Sequence, residues 1–213
     1  ALMRDPDHAL SLIEPLAEAA RLPVTLKTRL GWDESRMNAP DLARRAEAAG
    51  VAMVTIHGRT RCQFYTGAAD WAAIRAVKAA VSIPVIANGD IDGPAAAREA
   101  LRLSGADGVM VGRAAQGRPW LLAEIAHELY GAPRPEVPVG PALADMVAGH
   151  YEDMLSFYGA DLGGRVARKH LGWYMDGQGT PPGLRKRLLT ERDPARVLAL
   201  LPDALHGCEA RAA

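Results

Sequence analysis

Four short apolar runs, VTLKTR, MVTIHG, PVIANGD and GVMVGR, recur roughly every 25 to 31 residues between positions 24 and 113. Each gives way to polar residues just before a glycine or a helix-like stretch. A strand buried on both faces reads as an unbroken apolar run, and such runs alternating with helical periodicity imply parallel βα units. The pattern therefore predicts strands over 24–29, 53–57, 84–88 and 108–112. Ahead of the first, Asp5 suits a helix cap and Pro6 a first turn, with Leu10, Ile13, Leu16 and Ala17 at helical spacing. Pro15 is expected to kink or shorten that helix. Between the strands, helices are predicted over about 39–49, closed by Gly50, after Asp70 as a cap, and over 93–103; another follows the last strand, to about Tyr130.

The strand signal stops at GAPRPEVPVGP, four prolines in eleven residues, and does not return. Leu143, Met146, Val147, His150, Tyr151, Met154 and Leu155 then carry helical spacing over 141–158. Further helices are predicted over 161–175, 184–190 and 193–205. The expected division is a βα part over 1–137 and a small helical bundle over 138–213. The fold class is thus α/β followed by all-α. Four βα units make the carboxyl-terminal half of an eight-stranded (β/α)8 barrel, and the first and last strands are left with open edges. Open edges flanked by apolar surface invite pairing with another chain, so a homo-oligomer is expected. An opening in a helix, with alanine rather than methionine, fits a piece of a longer protein.

Composition narrows the field without deciding it. Lys plus Arg and Asp plus Glu balance at 25 each, so contact with a polyanion has to come from a local patch. Cys62 and Cys208 lie far apart without metal-ligand spacing, which fits a reducing compartment. No apolar run approaches the roughly 18 residues of a membrane span, and a cytoplasmic location is expected.

The candidate chemistry gathers at strand ends. In parallel βα sheets, ligands collect at the carboxyl ends of the strands, where loops and helix N-termini turn free N–H groups outward. Lys27, His57, Asn88, Asp90 and Arg113 occupy those ends. NGDIDG at 88–93 and VGR at 111–113 fall in consecutive units, and together they favour a phosphate held by Gly89 and Gly112 with Arg113 as its charge partner. Either motif alone reads equally well as a tight turn. Lys27 sits in an otherwise apolar strand, as a pocket cation for an anionic cofactor or as a Schiff-base amine, with Arg29 a weaker candidate one pleat along. His57 can donate to a ligand, act as acid or base, or simply cap its strand. Arg59 and Arg61 lie on the following polar loop with Gln63 and Tyr65, either facing a polyanion or merely solvated; Cys62 beside Arg61 is a weak nucleophile candidate. In the tail Arg165, Arg168 and Lys169 share a helical face beside His170, with Trp173, Tyr174, Arg185, Lys186 and Arg187 nearby. That cluster is compatible with RNA contact or with the wet face of a bundle.

The segments VTLKTRLGW, TIHGRTRCQFYTGAADW, IPVIANGDI, GVMVGRAAQGRPW and ARKHLGWY closely resemble the bacterial tRNA-dihydrouridine synthases of the B branch, over essentially the whole chain. The resemblance implies an FMN-binding eight-stranded barrel followed by a helical tRNA-binding domain, which reduces uridine in tRNA with NADPH as electron source. By the same resemblance Lys27 contacts the flavin, Asn88, Gly89 and Asp90 hold the FMN phosphate region, Gly112 and Arg113 complete the phosphate cup, and His57 lies along the cofactor. Family chemistry would be hydride transfer from flavin N5 to uridine C6, with a cysteine protonating C5. That cysteine belongs to an asparagine, glycine, cysteine, proline segment with no match here, and Cys62 sits on a different loop. The chain is therefore expected to be inactive alone. Two other readings stay open: an RNA-binding or interaction module without catalysis, and a flavin-free aldolase or isomerase using Lys27.

Overall fold

The computed structural model describes residues 2–206, in two compact units: Ala1–Ala114 with Glu128–Gly131, and Ala115–His127 with Ala132–Ala213. Cys208 lies outside the described residues. In the first unit, β1 (Thr25–Arg29), β2 (Met53–His57), β3 (Val85–Asn88) and β4 (Gly108–Met110) form one all-parallel sheet in sequence order. That order is what short right-handed βα crossovers produce. Helices α1 (Pro6–Ala19), α2 (Ala39–Ala48), α3 (Ile74–Ala80) and α4 (Pro94–Ser104) supply the alternation.

Pleat and register position everything that follows. Val54, Ile56, Val85 and Ala87 are fully buried, as are Ala43 and Ala46 of α2, Ile74 and Val77 of α3, and Ala97 and Ala100 of α4. On the opposite face, Lys27 pairs with Thr55 and Thr55 with Ile86, and one pleat further Arg29, His57, Asn88 and Met110 form a row across all four strands. Side chains two apart share a face, so both rows look the same way. β1 and β4 each have one sheet neighbour among the described residues.

Local deviations have physical causes. The last strand ends at Met110, two residues short of the sequence expectation, because the chain turns at Val111 and Gly112 into a 3-10 turn over Arg113–Ala115. Helix α1 runs through Pro15 to Ala19 instead of stopping; Ser11, whose carbonyl the ring deprives of a donor, lies on the exposed side. Asp5 caps α1 by accepting from the N–H of His8 at 3.0 Å. Asp70 accepts from the N–H of Ala73, so it caps the turn that leads into α3.

The second unit is helical. α5 (Leu121–Tyr130), whose last three residues belong to the first unit, precedes α6 (Gly140–Tyr158), α7 (Ala160–Gln178), α8 (Pro182–Thr190) and α9 (Pro194–Leu205). Leu143, Val147 and Tyr151 of α6, Leu171 and Met175 of α7, Leu188 of α8, and Val197 and Leu201 of α9 share one core. α6 and α7 turn back on each other at Gly159 and close tightly at Gly163, where a Cβ would stand 2.6 Å from the carbonyl oxygen of Met154. Among the described residues no helix is long and apolar enough to cross a membrane, and no group of histidine, cysteine and carboxylate side chains could hold a metal.

Candidate functional site

At the carboxyl end of the sheet, a cavity of about 590 Å³ is lined by Lys27, His57, Asn88, Gly89, Asp90, Gly112 and Arg113, together with Tyr65, Ile91, Asp92 and Met110. All seven side chains or glycines singled out as cofactor contacts meet there. Parallel register brings them together: His57 lies opposite Asn88 and Asn88 opposite Met110, so residues far apart in sequence share one rim.

The rim is braced by an ion pair whose arginine is internal. Arg59 is 2% exposed and its two terminal nitrogens donate to the two oxygens of Asp90 at 2.9 and 2.6 Å. The same guanidinium donates to the carbonyls of Thr66 and Gly67. Arg59 thus follows neither reading its loop position left open, facing a polyanion or merely solvated: five N–H donors in a planar fork suit a carboxylate and backbone carbonyls, and here that is where they go. Asp90 also accepts from the N–H of Ala69, and hydrogen bonding to Arg59 above all holds its carboxyl below the usual range. Asp90 is thus an anchor more than a ligand; its own φ of 54° lies in the left-handed region. Gly89, at φ 110°, has no freedom for a side chain, since a Cβ would stand 2.6 Å from Cδ2 of His57. Trp71 fixes the same turn by donating from its indole N–H to the carbonyl of Gly89 at 2.8 Å.

Arg59 also sets the state of His57. A guanidinium nitrogen lies 3.3 Å from Nε2 of His57, and arginine can only donate, so Nε2 accepts and the ring proton belongs on Nδ1. Burial first, then the charges of Arg29, Lys27 and Arg59, push the imidazole down to about 4. A neutral His57 therefore lines the cavity with its ring proton on Nδ1. Asn88 spends its amide N–H₂ on the carbonyl of Met110, which leaves its oxygen as an acceptor.

Lys27 is exposed on β1, a strand with one sheet neighbour among the described residues. Lys27 still lines the cavity, and partial burial followed by the charge of Arg29 lowers its pKa. Arg29 points to the same side, as the pleat requires, but spends one guanidinium nitrogen on the carbonyls of Thr60 and Phe64 at 2.7 Å each. It holds the loop; it does not line the cavity. Arg113 lies over the Tyr65 ring at 4.8 Å and 3.9 Å from Asp90, with most of its side chain exposed. Beside it a Cβ on Gly112 would meet nothing within 4 Å, so the backbone there borders open space. Cys62 is exposed and borders a separate depression with Asp33, Ser35 and Gln63.

The tail residues divide as well. Arg165 and Arg168 border a cleft in the helical unit, Lys169 is exposed outside its lining, and Tyr174 belongs to the core. Sequence reasoning missed the structural duties of Arg59 and Trp71. An arginine two residues after a strand-end histidine was the available signal for the first; nothing in the sequence marked the second.

The sheet and its rim define a βα protein with a cavity at the strand ends lined by cations, carboxylates and amide groups, and its volume falls within the roughly 300–1,000 Å³ of small-molecule clefts. A family model described as dihydrouridine synthase (Dus) matches residues 1–206. The chain is 61% identical over 210 residues to a protein of Rhodobacter capsulatus named "Probable tRNA-dihydrouridine synthase", an alignment covering 99% of this chain and 64% of the relative. It is 55% identical to a protein of the same name from Rhizobium leguminosarum bv. phaseoli, over 96% of this chain and 63% of the relative. It is 47% identical to "tRNA-dihydrouridine synthase B" of Xanthomonas axonopodis pv. citri, over 95% and 61%. The chain belongs to the dihydrouridine synthase family, and it spans about three fifths of the length of these relatives.

Proposed function

We propose that these residues form the flavin-holding half of a (β/α)8 barrel, 1–137, and the helical tRNA-binding domain, 138–213, of an enzyme that reduces uridine in tRNA to 5,6-dihydrouridine. The observation that carries this reading is the convergence of Lys27, His57, Asn88, Gly89, Gly112 and Arg113 on one cavity. FMN fits the residues present. Gly112 and Arg113 take its phosphate, for a side chain at position 112 would enter the space that the phosphate needs. Lys27 supplies positive charge toward the isoalloxazine, and His57 donates from Nδ1. When bound, the flavin supplies hydride chemistry, with NADPH as the source of electrons. This chain's own residues bind and orient: the Arg59–Asp90 pair fixes the turn, and Arg29 fixes the loop that carries Tyr65.

Alone, the 213 residues are inactive in this reading. The family's proton donor has no counterpart among them, and Cys62 borders a different depression. An apolar furrow lined by Leu2, Leu12, Leu16, Leu26 and Leu42 lies beside β1, and pairing there with a second copy accounts for the expected self-association. The test is an FMN titration followed by flavin fluorescence. Saturable quenching that Lys27→Gln and Arg113→Gln weaken about tenfold is expected, the loss of one charge-assisted contact each. No quenching by the wild-type chain overturns the cofactor assignment. Dihydrouridine formed on unmodified tRNA by this chain with FMN and NADPH overturns its inactivity.

A further inference from the structure

A second, smaller cleft of about 230 Å³ opens in the helical unit where α6, α7 and the α8–α9 corner meet. Tyr151 is among the residues that line it. That residue is 3% exposed, yet its hydroxyl has no hydrogen-bond partner among the described residues and is not sealed from solvent. A hydroxyl that opens into a cleft without a protein partner is available to donate to whatever occupies the cleft. Around it stand Arg165 and Arg168 from α7 and Arg192 from the corner.

The acids nearby are already engaged. Asp161 pairs with Arg165 at 3.0 Å. Glu191 accepts the N–H groups of Arg192 and Asp193, which hold its carboxyl below the usual range. Asp193 caps α9 through the N–H of Ala195 and pairs with Arg196. Arg168 and Arg192 have no carboxylate within salt-bridge reach among the described residues. The cleft therefore offers two uncommitted guanidinium groups and one hydroxyl donor. Its volume falls below the range for a whole small-molecule ligand and suits a single tetrahedral anion.

We infer that this cleft seats one phosphate of an RNA backbone, gripped by Arg168 and Arg192 with Tyr151 donating a hydrogen bond. Assigning the phosphate to RNA rests on the function proposed above; the pocket for a phosphate does not. A guanidinium fork matches a phosphodiester, and such contacts position nucleic acid without reading its sequence.

The experiment uses the whole chain and two probes. With unmodified tRNA, Arg168→Gln and Arg192→Gln each lower affinity about three- to tenfold and flatten the dependence of log K on log salt by about 0.7 to 0.9. Tyr151→Phe lowers affinity about two- to fivefold with that slope unchanged, because a hydroxyl carries no charge. Unaltered melting curves show that the variants are folded. With inorganic phosphate, the Nε–H resonances of Arg168 and Arg192 shift saturably, and chloride at equal ionic strength leaves them in place. Absence of that shift overturns the pocket. A shift accompanied by wild-type tRNA affinity in all three variants overturns the RNA assignment. A wild-type chain that binds no tRNA overturns the proposed function and the RNA source of the phosphate together, while a phosphate shift in that case supports the pocket as a site for free phosphate.

Discussion

In the βα unit, Arg59 is withdrawn from solvent with both terminal nitrogens taken up by Asp90, whereas in the helical unit Arg168 and Arg192 line a cleft with no carboxylate in salt-bridge reach among the described residues. The first arrangement spends charge on shape. Asp90 and Gly89 occupy backbone regions with positive φ, and the Arg59–Asp90 pair and the Trp71 hydrogen bond hold them there. A small rigid ligand rewards that preorganisation, since each donor must stand in place before it arrives. The second arrangement keeps charge available. A long flexible polyanion is held by many weak, exposed contacts, and such contacts need little support from the fold. The same side chain therefore does different work according to whether the backbone buries its head group.

That contrast can be broken most severely at Gly89. Gly89→Ala places a Cβ 2.6 Å from an imidazole that Arg59 pins, at a φ that disfavours any side chain. Stability should fall by about 3 to 4 kcal/mol in urea denaturation, and FMN binding should disappear. Arg59→Met comes next. It strands Asp90, and the expected loss is about 2 to 3 kcal/mol, below that of a fully buried pair because the Asp90 side chain keeps 32% of its exposure. An Arg59→Met chain with wild-type stability would show that the pair is ornamental.

The third effect depends on pH. His57 is pushed down to about 4 in the folded chain against an ordinary value of 6.5. Between these values the unfolded chain binds a proton that the folded chain refuses. Stability is therefore full above about pH 6.5 and declines as pH falls toward 4, by on the order of 2 to 3 kcal/mol. His57→Gln should flatten that acid limb in melts taken from pH 7 to 4. The smallest stability change belongs to the helical unit. Arg165→Gln breaks an exposed pair with Asp161 and should alter stability by no more than about 0.5 kcal/mol, while lowering tRNA affinity and its salt dependence. A large stability loss there would erase the distinction between the two units.

Much of this was readable beforehand for a definite reason. A strand buried in a parallel sheet needs an unbroken apolar run, and its ligand-facing end has to be polar, so VTLKTR, MVTIHG and PVIANGD announce both the strand and the residues of its rim. The helical tail announced itself through the spacing of Leu143, Val147, Tyr151 and Met154, which reappear in one core. Less was visible where partners come from distant segments. Arg59 looked like any loop cation, because its mate Asp90 lies 31 residues on.

By itself, then, the sequence determined the alternation of strands and helices, the rim on which Lys27, His57, Asn88 and Arg113 would meet, and the family. These are consequences of local periodicity and of the uniform direction of parallel strands. Only the tertiary structure decided that Arg59 is internal, that Lys27 is exposed, that the proton of His57 belongs on Nδ1, and that the hydroxyl of Tyr151 shares a cleft with Arg168 and Arg192 without a partner among the described residues. Those outcomes depend on burial and on which donor meets which acceptor across folded distance, and no one-dimensional spacing encodes that.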